Sequence, residues 1–217
     1  MIIGVPKEIK LQEHRIGLTP DSVKVLHEKG HKVLIENNGG FEAGFTNEDY
    51  QKAGAKIYNS AKDIFKDSEI IVKVKEPQSS EVEMIREGQI IYTYLHLAAA
   101  KELTMGLIKS KSVCIAYETV TDDKGRLPLL APMSAVAGRM SIQAGAHSLE
   151  KNQNGRGLLL GGAPGVEPAN VVILGGGVVG ENAAIIATGM KGKVYVVDKS
   201  KERLKQLHEM FGDKIIP

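Results

Sequence analysis

The sequence predicts an α/β protein with a parallel, doubly wound sheet, and two observations carry the prediction. Short apolar runs alternate with helical stretches through the first 128 residues, the rhythm of parallel strands joined by helical crossovers. Further on, Val171-Val172-Ile173-Leu174 has the β-branched apolar character of a strand buried on both faces. It runs into Gly175-Gly176-Gly177-Val178-Val179-Gly180, a G-x-G-x-x-G turn. An Ala-rich helical run, Ala183 to Met190, follows, and a second apolar strand, Val194 to Val197, ends in Asp198. That series is the first half of a Rossmann domain: strand, glycine turn, helix, strand, acid.

In order, Ile2 to Val5 is a short strand, and Lys7 to Gly17 is a polar loop carrying Glu8, Glu13, His14 and Arg15. Thr19-Pro20-Asp21 starts a helix with Thr19 as N-cap and Pro20 in its first position, and Gly30 closes it. His31 to Glu36 is a strand in which Val33 and Ile35 alternate with polar neighbours, and a loop follows near Asn38-Gly39-Gly40. Thr46 and Asp49 have capping-box spacing before a helix that ends near Gly54, and Ser60 to Phe65 is another short helix. Glu69 to Lys75 reads as a strand stopped by Glu76-Pro77, Glu81 to Arg86 as a helix, and Gln89 to Leu95 as a strand. Ala98 to Ser110 is a helix and Ser112 to Tyr117 a strand.

These elements make residues 1–128 one domain. Residues 129–151 are a linking helix with a small-residue face, and a glycine-rich loop from Gly155 to Gly165 opens the second domain, residues 152–217. The default active site is then the cleft between the domains, beyond the strand C-termini.

Composition narrows the function classes. The net charge of +2 is too small to mark a nucleic-acid or membrane partner. A single cysteine, Cys114, rules out an internal disulfide framework, and its apolar neighbours make it a buried core thiol. The N-terminus lacks the long apolar segment of a signal peptide, and no run approaches the roughly 18 apolar residues of a membrane helix. A cytoplasmic chain is expected. No spacing of Asp, Glu or His implies a metal site.

The glycine turn indicates its ligand. Gly175 permits the tight turn, Gly177 lets the backbone approach a pyrophosphate, and Gly180 lets helix and strand pack closely. The helix N-terminus presents N–H groups to the phosphates. Asp198 is placed to accept the adenine-ribose hydroxyls and to repel a 2′-phosphate, which favours NAD. Lys199, Lys201 and Arg203 pull the other way, because a phosphate would find cations there. A glycine-rich loop that only turns the chain is the alternative.

In the first domain Arg15 lies in the polar loop after the first strand, Lys75 lies at the C-terminal end of a buried strand and His96 at the end of the strand that reaches Leu95, so that all three face one edge of the sheet. Arg grips a carboxylate with a planar fork. Lys binds a carboxylate or polarises a carbonyl, and His passes a proton near neutral pH. Together they suit oxidation at a carbon bearing OH or NH₂ beside a carboxylate. Each also has a plainer reading: Arg15 as a solvated loop charge, Lys75 as the step from strand to solvent, His96 as a capping histidine.

Several runs carry a closer resemblance. Gly4-Val5-Pro6-Lys7-Glu8, Glu13-His14-Arg15-Ile16-Gly17-Leu18-Thr19-Pro20, Lys73-Val74-Lys75-Glu76-Pro77 and Tyr94-Leu95-His96-Leu97-Ala98-Ala99 look like bacterial alanine dehydrogenases. Ala116-Tyr117-Glu118-Thr119-Val120, Met133-Ser134, Gly161-Gly162-Ala163-Pro164-Gly165-Val166 and the loop from Gly175 to Gly180 extend the likeness along the whole chain. The chain therefore resembles the alanine dehydrogenase/pyridine nucleotide transhydrogenase family.

The resemblance implies a pyruvate or L-alanine site with Arg15 on the carboxylate, Lys75 on the carboxylate or carbonyl, and His96 as acid/base. It implies NAD contacts from Ser134, Gly175, Gly177, Val178, Val179 and Gly180, with Asp198 on the adenine ribose and Arg203 near the adenosine. It also implies a homo-oligomer, commonly a hexamer. The family's catalytic aspartate and later strands have no counterpart before Pro217. The expectation is a truncated form, a fragment or one part of a split gene, with little activity alone or with a further chain supplying the C-terminal half. Two other readings are the nucleotide-binding subunit of a proton-translocating transhydrogenase and a non-enzymatic remnant. The Lys-Glu-Pro and Tyr-Leu-His runs argue against the transhydrogenase subunit.

Overall fold

A computed structural model describes residues 1–217, and packing divides them into two units, Met1–Leu127 and Pro128–Pro217. In the first unit the elements are β1 (Ile2–Val5), α1 (Pro20–Glu28), β2 (Lys32–Glu36), α2 (Asn47–Lys52), β3 (Lys56–Tyr58) and α3 (Ala61–Asp67). They continue with β4 (Ile70–Val72), α4 (Ser79–Val82), β5 (Ile90–Thr93), α5 (Lys101–Ser110) and β6 (Val113–Ala116). All strand pairs are parallel, and the order is β3-β2-β1-β4-β5-β6. The sheet is doubly wound, and its order reverses between β1 and β4, the position where such sheets bind ligands.

Burial on both faces explains the apolar strands. Val5, Val33 and Ile35 pack with Val23 and Tyr50 in one cluster, while Leu34, Ile71 and Ile91 pack with Ile64, Phe65 and Leu107 in another. The alternation expected of β2 is therefore corrected, because Leu34 is buried as well as Val33 and Ile35. The helix starts follow their caps. Thr19 Oγ1 accepts the Ser22 N–H at 3.3 Å, and Thr46 and Asp49 cap each other's backbone at 3.2 and 2.8 Å.

Four expectations differ here. Strand β3 was not expected, because three residues are too few to show a period. Helix α4 stops at Val82, short of Arg86. A 3₁₀ turn at Leu97–Ala99 precedes α5, which begins at Lys101. Cys114 is only partly buried, with its sulfur 3.4 Å from Ser112 Oγ.

The second unit comprises α6 (Ala131–Ser148), β7 (Asn170–Leu174), α7 (Val178–Gly189), β8 (Lys193–Val197), α8 (Lys201–Phe211) and β9 (Ile215–Ile216). Its strands are parallel in the order β7-β8-β9, a βαβαβ unit. Strand β9 was not expected, and α7 begins five positions before Ala183. The core joins Ile173, Val194 and Val196 of the sheet to Ala183, Ala184 and Ala187 of α7 and Leu207 of α8. Helix α6 packs on α7: a side chain at Gly138 would collide with the Val179 carbonyl, and Arg139 Nε reaches Asn182 Oδ1 at 3.1 Å. No helix is long and apolar enough to cross a membrane.

Candidate active site

Strands β1, β4 and β5 are adjacent and parallel, so the segments after them leave the same edge of the first unit's sheet. These segments carry Arg15, Lys75 and His96. The Arg15 guanidinium holds Glu13 with two bonds, Nε to Oε1 at 2.8 Å and a terminal nitrogen to Oε2 at 2.6 Å. That hydrogen bonding outweighs burial and holds the Glu13 carboxyl at about 2, with the Lys75 charge adding a smaller effect. Arg15 is raised in turn, first by its bonds to Glu13, with smaller contributions from Tyr94 and Glu8. Glu13 thus senses the charges of Arg15 and Lys75, and Arg15 those of Glu13 and Tyr94.

Lys75 does not end a strand as expected, because β4 stops at Val72. The reason lies in Lys73, which is wholly buried and pairs with Glu8 Oε2 at 3.1 Å and Glu81 Oε1 at 2.7 Å. Glu8 Oε1 accepts the Val74 N–H at 2.6 Å and the Lys75 N–H at 3.4 Å, so a carboxylate takes the bonds that a continuing strand would need. Burial pushes the Glu8 carboxyl up, against the opposing charge of Lys73 and those N–H bonds. Thr93 Oγ1 donates to the Lys75 carbonyl at 2.8 Å, tying the segment to β5. Sequence reasoning passed over Lys73, Glu8 and Glu81. A lysine inside an apolar strand was the available signal, since a buried lysine demands carboxylates.

His96 likewise lies beyond its strand, because β5 ends at Thr93. Its backbone is left-handed, with φ 51° and ψ 37°. Its N–H donates to Glu118 Oε1 at 2.7 Å, and the Leu95 N–H lies 3.1 and 3.2 Å from the two carboxylate oxygens. The imidazole is exposed and stacks on the Tyr94 ring, with centroids 6.1 Å apart and planes 14° apart. Tyr117 packs edge-on against Tyr92 and Tyr94, at 4.3 and 4.9 Å.

In the second unit the glycine turn has the form that dinucleotide-binding turns take. Gly175 has φ 95°, and a side chain at Gly180 would collide with the Gly175 carbonyl. A Cβ on Gly177 would meet open space, so this stretch of backbone is approachable. Helix α7 starts at Val178, and its first turn directs N–H groups toward the loop. Asp198 Oδ2 accepts the Gly176 N–H at 2.6 Å, and Oδ1 accepts the Ser200 N–H at 2.8 Å. Those two backbone bonds hold its carboxyl below the usual range, with a smaller contribution from Arg203. Each carboxylate oxygen keeps lone-pair capacity for a hydroxyl donor.

Arg203 donates from Nε to the Gly176 carbonyl at 2.6 Å and pairs with Glu181, so it buttresses the loop. A groove of about 740 Å³ runs along β7. Ser134, Gly175, Gly177, Val178, Val179 and Gly180 line it, whereas Asp198 and Arg203 do not. These features fit a dinucleotide: open backbone at Gly177, a helix N-terminus, and a carboxylate at the end of the second strand.

Comparison with known proteins agrees across the chain. The family model for the alanine dehydrogenase/PNT N-terminal domain matches residues 4–137, and that for the C-terminal domain matches residues 141–217. An alanine dehydrogenase of Methanococcus maripaludis is 54% identical over 99% of this chain and 58% of its own length. That of Bacillus subtilis is 50% identical over 99% of this chain and 56% of its own length. A solved L-alanine dehydrogenase superposes with a TM-score of 0.92 at 53% identity, covering 100% of this chain and 60% of its own. A transhydrogenase from Sinorhizobium meliloti superposes at 0.83 with 22% identity, covering 64% of its own chain, which shows a shared fold. The chain thus spans under two thirds of the length of these relatives.

Proposed function

The chain belongs to the alanine dehydrogenase/PNT family, and from that premise we propose that it carries the substrate-holding unit and the adenosine-holding half-domain of an NAD-dependent alanine dehydrogenase. In the proposed reaction L-alanine, NAD⁺ and water give pyruvate, ammonium, NADH and a proton. The supporting observation is 54% identity to an alanine dehydrogenase across 99% of the chain, a span that includes Arg15, Lys75 and His96. The transhydrogenase reading has less behind it: the joint family model and a structure of the same fold at 22% identity.

Arg15 holds the substrate carboxylate, sharing its guanidinium with Glu13. Lys75 contacts the carboxylate or the carbonyl oxygen and stabilises negative charge there. His96, exposed and steadied by Tyr94, takes the proton released as alanine is oxidised and returns one in the reverse direction. Bound NAD supplies the hydride acceptor. Gly175, Gly177, Val178, Val179 and Gly180 receive its pyrophosphate, Ser134 borders the same groove, and Arg203 stiffens the loop. Asp198 accepts the ribose hydroxyls and disfavours a 2′-phosphate, which selects NAD over NADP. A homo-oligomer is the proposed assembly.

The test is an assay of the gene's complete product for alanine-dependent NADH formation, paired with calorimetric titration of pyruvate. Turnover with L-alanine, and pyruvate binding that Arg15→Ala weakens at least about tenfold, are expected. Absence of alanine-dependent turnover overturns the reading, whatever the pyruvate titration gives.

A further inference from the structure

We infer that Glu118 is a positioning residue for His96. The inference rests on the reading of His96 as the acid/base and extends it. Strand β5 ends at Thr93, so the backbone N–H groups of Leu95 and His96 emerge beyond the paired strand. Glu118 lies in the 3₁₀ turn Tyr117–Thr119 directly after β6, the neighbour of β5. Its carboxylate accepts both N–H groups, with 2.7 Å to His96 and 3.1 Å to Leu95.

The N–H groups of Leu95 and His96 converge on this one carboxylate, and directly after them the His96 backbone is left-handed, with φ 51°. A side chain in the left-handed region is strained, and such a conformation persists where the surroundings hold it. Glu118 makes no ion pair within 4.0 Å, so this half-buried carboxylate is spent on these two N–H groups. With its N–H held by Glu118, this φ sets where the His96 side chain leaves the backbone, and the ring stacks on Tyr94, 6.1 Å away and nearly parallel, on the same edge as Arg15. Glu8 grips Val74 and Lys75 in the same manner one strand away. The two side chains proposed to face the substrate therefore each stand on backbone held by a carboxylate from elsewhere in the chain.

The experiment uses Glu118→Gln, which keeps the shape and removes the charge. In the complete gene product kcat is expected to fall about 10- to 100-fold, the scale of a misplaced catalytic group, while KM for pyruvate stays within about threefold because Arg15 and Lys75 are untouched. In parallel, ¹⁵N-histidine labelling of the wild type and variant follows the His96 amide, identified by its loss in His96→Ala. It is expected to resonate downfield in the wild type and to move upfield in Glu118→Gln, with the other histidine amides unmoved. An unmoved His96 amide, or a kcat that survives the amide's movement, overturns the inference. A wild type without alanine-dependent turnover would sink the functional reading, and the inference with it; that outcome is distinct because it appears before any substitution. If Glu118→Gln fails to fold, Glu118→Asp, which keeps the charge and shortens its reach, decides by the same two quantities.

Discussion

At the scale of the residue, carboxylates hold the candidate site, some from far away in sequence, as Glu8 and Glu118, and some from close by, as Glu13. Replacing His96 with alanine should lower kcat of the complete gene product by at least about 100-fold, the usual size of an acid/base contribution; near-normal turnover would remove it from the mechanism. Asp198 offers a second test. Its carboxylate is organised by Gly176 and Ser200, so Asp198→Ala should weaken NAD more than NADP and narrow the gap between them in calorimetry. A wild type that prefers NADP would show that Lys199 and Lys201 outweigh the carboxylate. Glu13 gives a pH dependence. Its folded value of about 2 lies below its ordinary 4.5. Its contribution to stability is therefore complete above pH 4.5 and lost as pH falls toward 2. Glu8, raised by burial, has the opposite sign, its cost being relieved on protonation. Urea midpoints of wild type and Glu13→Gln should therefore converge on acidification from pH 5 toward pH 2, and a constant difference would contradict the assignment.

At the scale of the element, two glycines of α6 should respond with opposite signs. A methyl at Gly138 meets the Val179 carbonyl of α7, whereas one at Gly145 meets nothing within 4 Å. Gly138→Ala should cost about 1–3 kcal/mol through overpacking, and Gly145→Ala should gain up to about 1 kcal/mol from helix propensity. Urea unfolding of both variants reads the pair; equal effects would mean that the two helices do not depend on close approach at Gly138. The helix starts at Thr19, Thr46 and Ser60 were legible because each cap bonds only three residues ahead. Strand ends were less legible. Nothing local to Lys73-Val74-Lys75 announces that Glu8, 66 positions from Val74, takes over its N–H. Nor does Tyr94-Leu95-His96 announce Glu118, 22 positions beyond His96. Arg15, Lys75 and His96 were legible as candidates because each follows an apolar run. The carboxylates that hold their backbones were not, since a hydrogen bond to a distant main chain leaves no period or motif.

At the scale of the whole molecule, the parallel pairing of the first sheet followed from the alternation of strands and helices, though its strand order did not, and the second unit adds β7-β8-β9. Strand β7 pairs only with β8, and Val172 and Leu174 are 59% and 81% exposed. An apolar strand with one row of backbone groups unpaired invites another chain. A polypeptide of residues 1–217, purified by itself, should therefore show self-association that rises with concentration in light scattering. Val172→Lys with Leu174→Lys should suppress it, because charge on an edge opposes pairing. The same polypeptide should bind the adenosine part of the dinucleotide through Gly175 to Asp198. It should nevertheless turn over alanine at a negligible rate. Hydride transfer requires the nicotinamide carbon within roughly 3–3.5 Å of the substrate carbon, and loss of that placement alone costs orders of magnitude. The residues proposed to hold the adenosine side lie from the end of β7 through the start of α7 and at the end of β8, while a doubly wound dinucleotide domain places the other half of its ligand against a second βαβαβ unit. An alanine-dependent NADH assay on the same sample that is examined by light scattering joins the two expectations. Robust NADH formation by a monomer of these residues would show that the reaction needs less of the fold than this placement argument assigns to it.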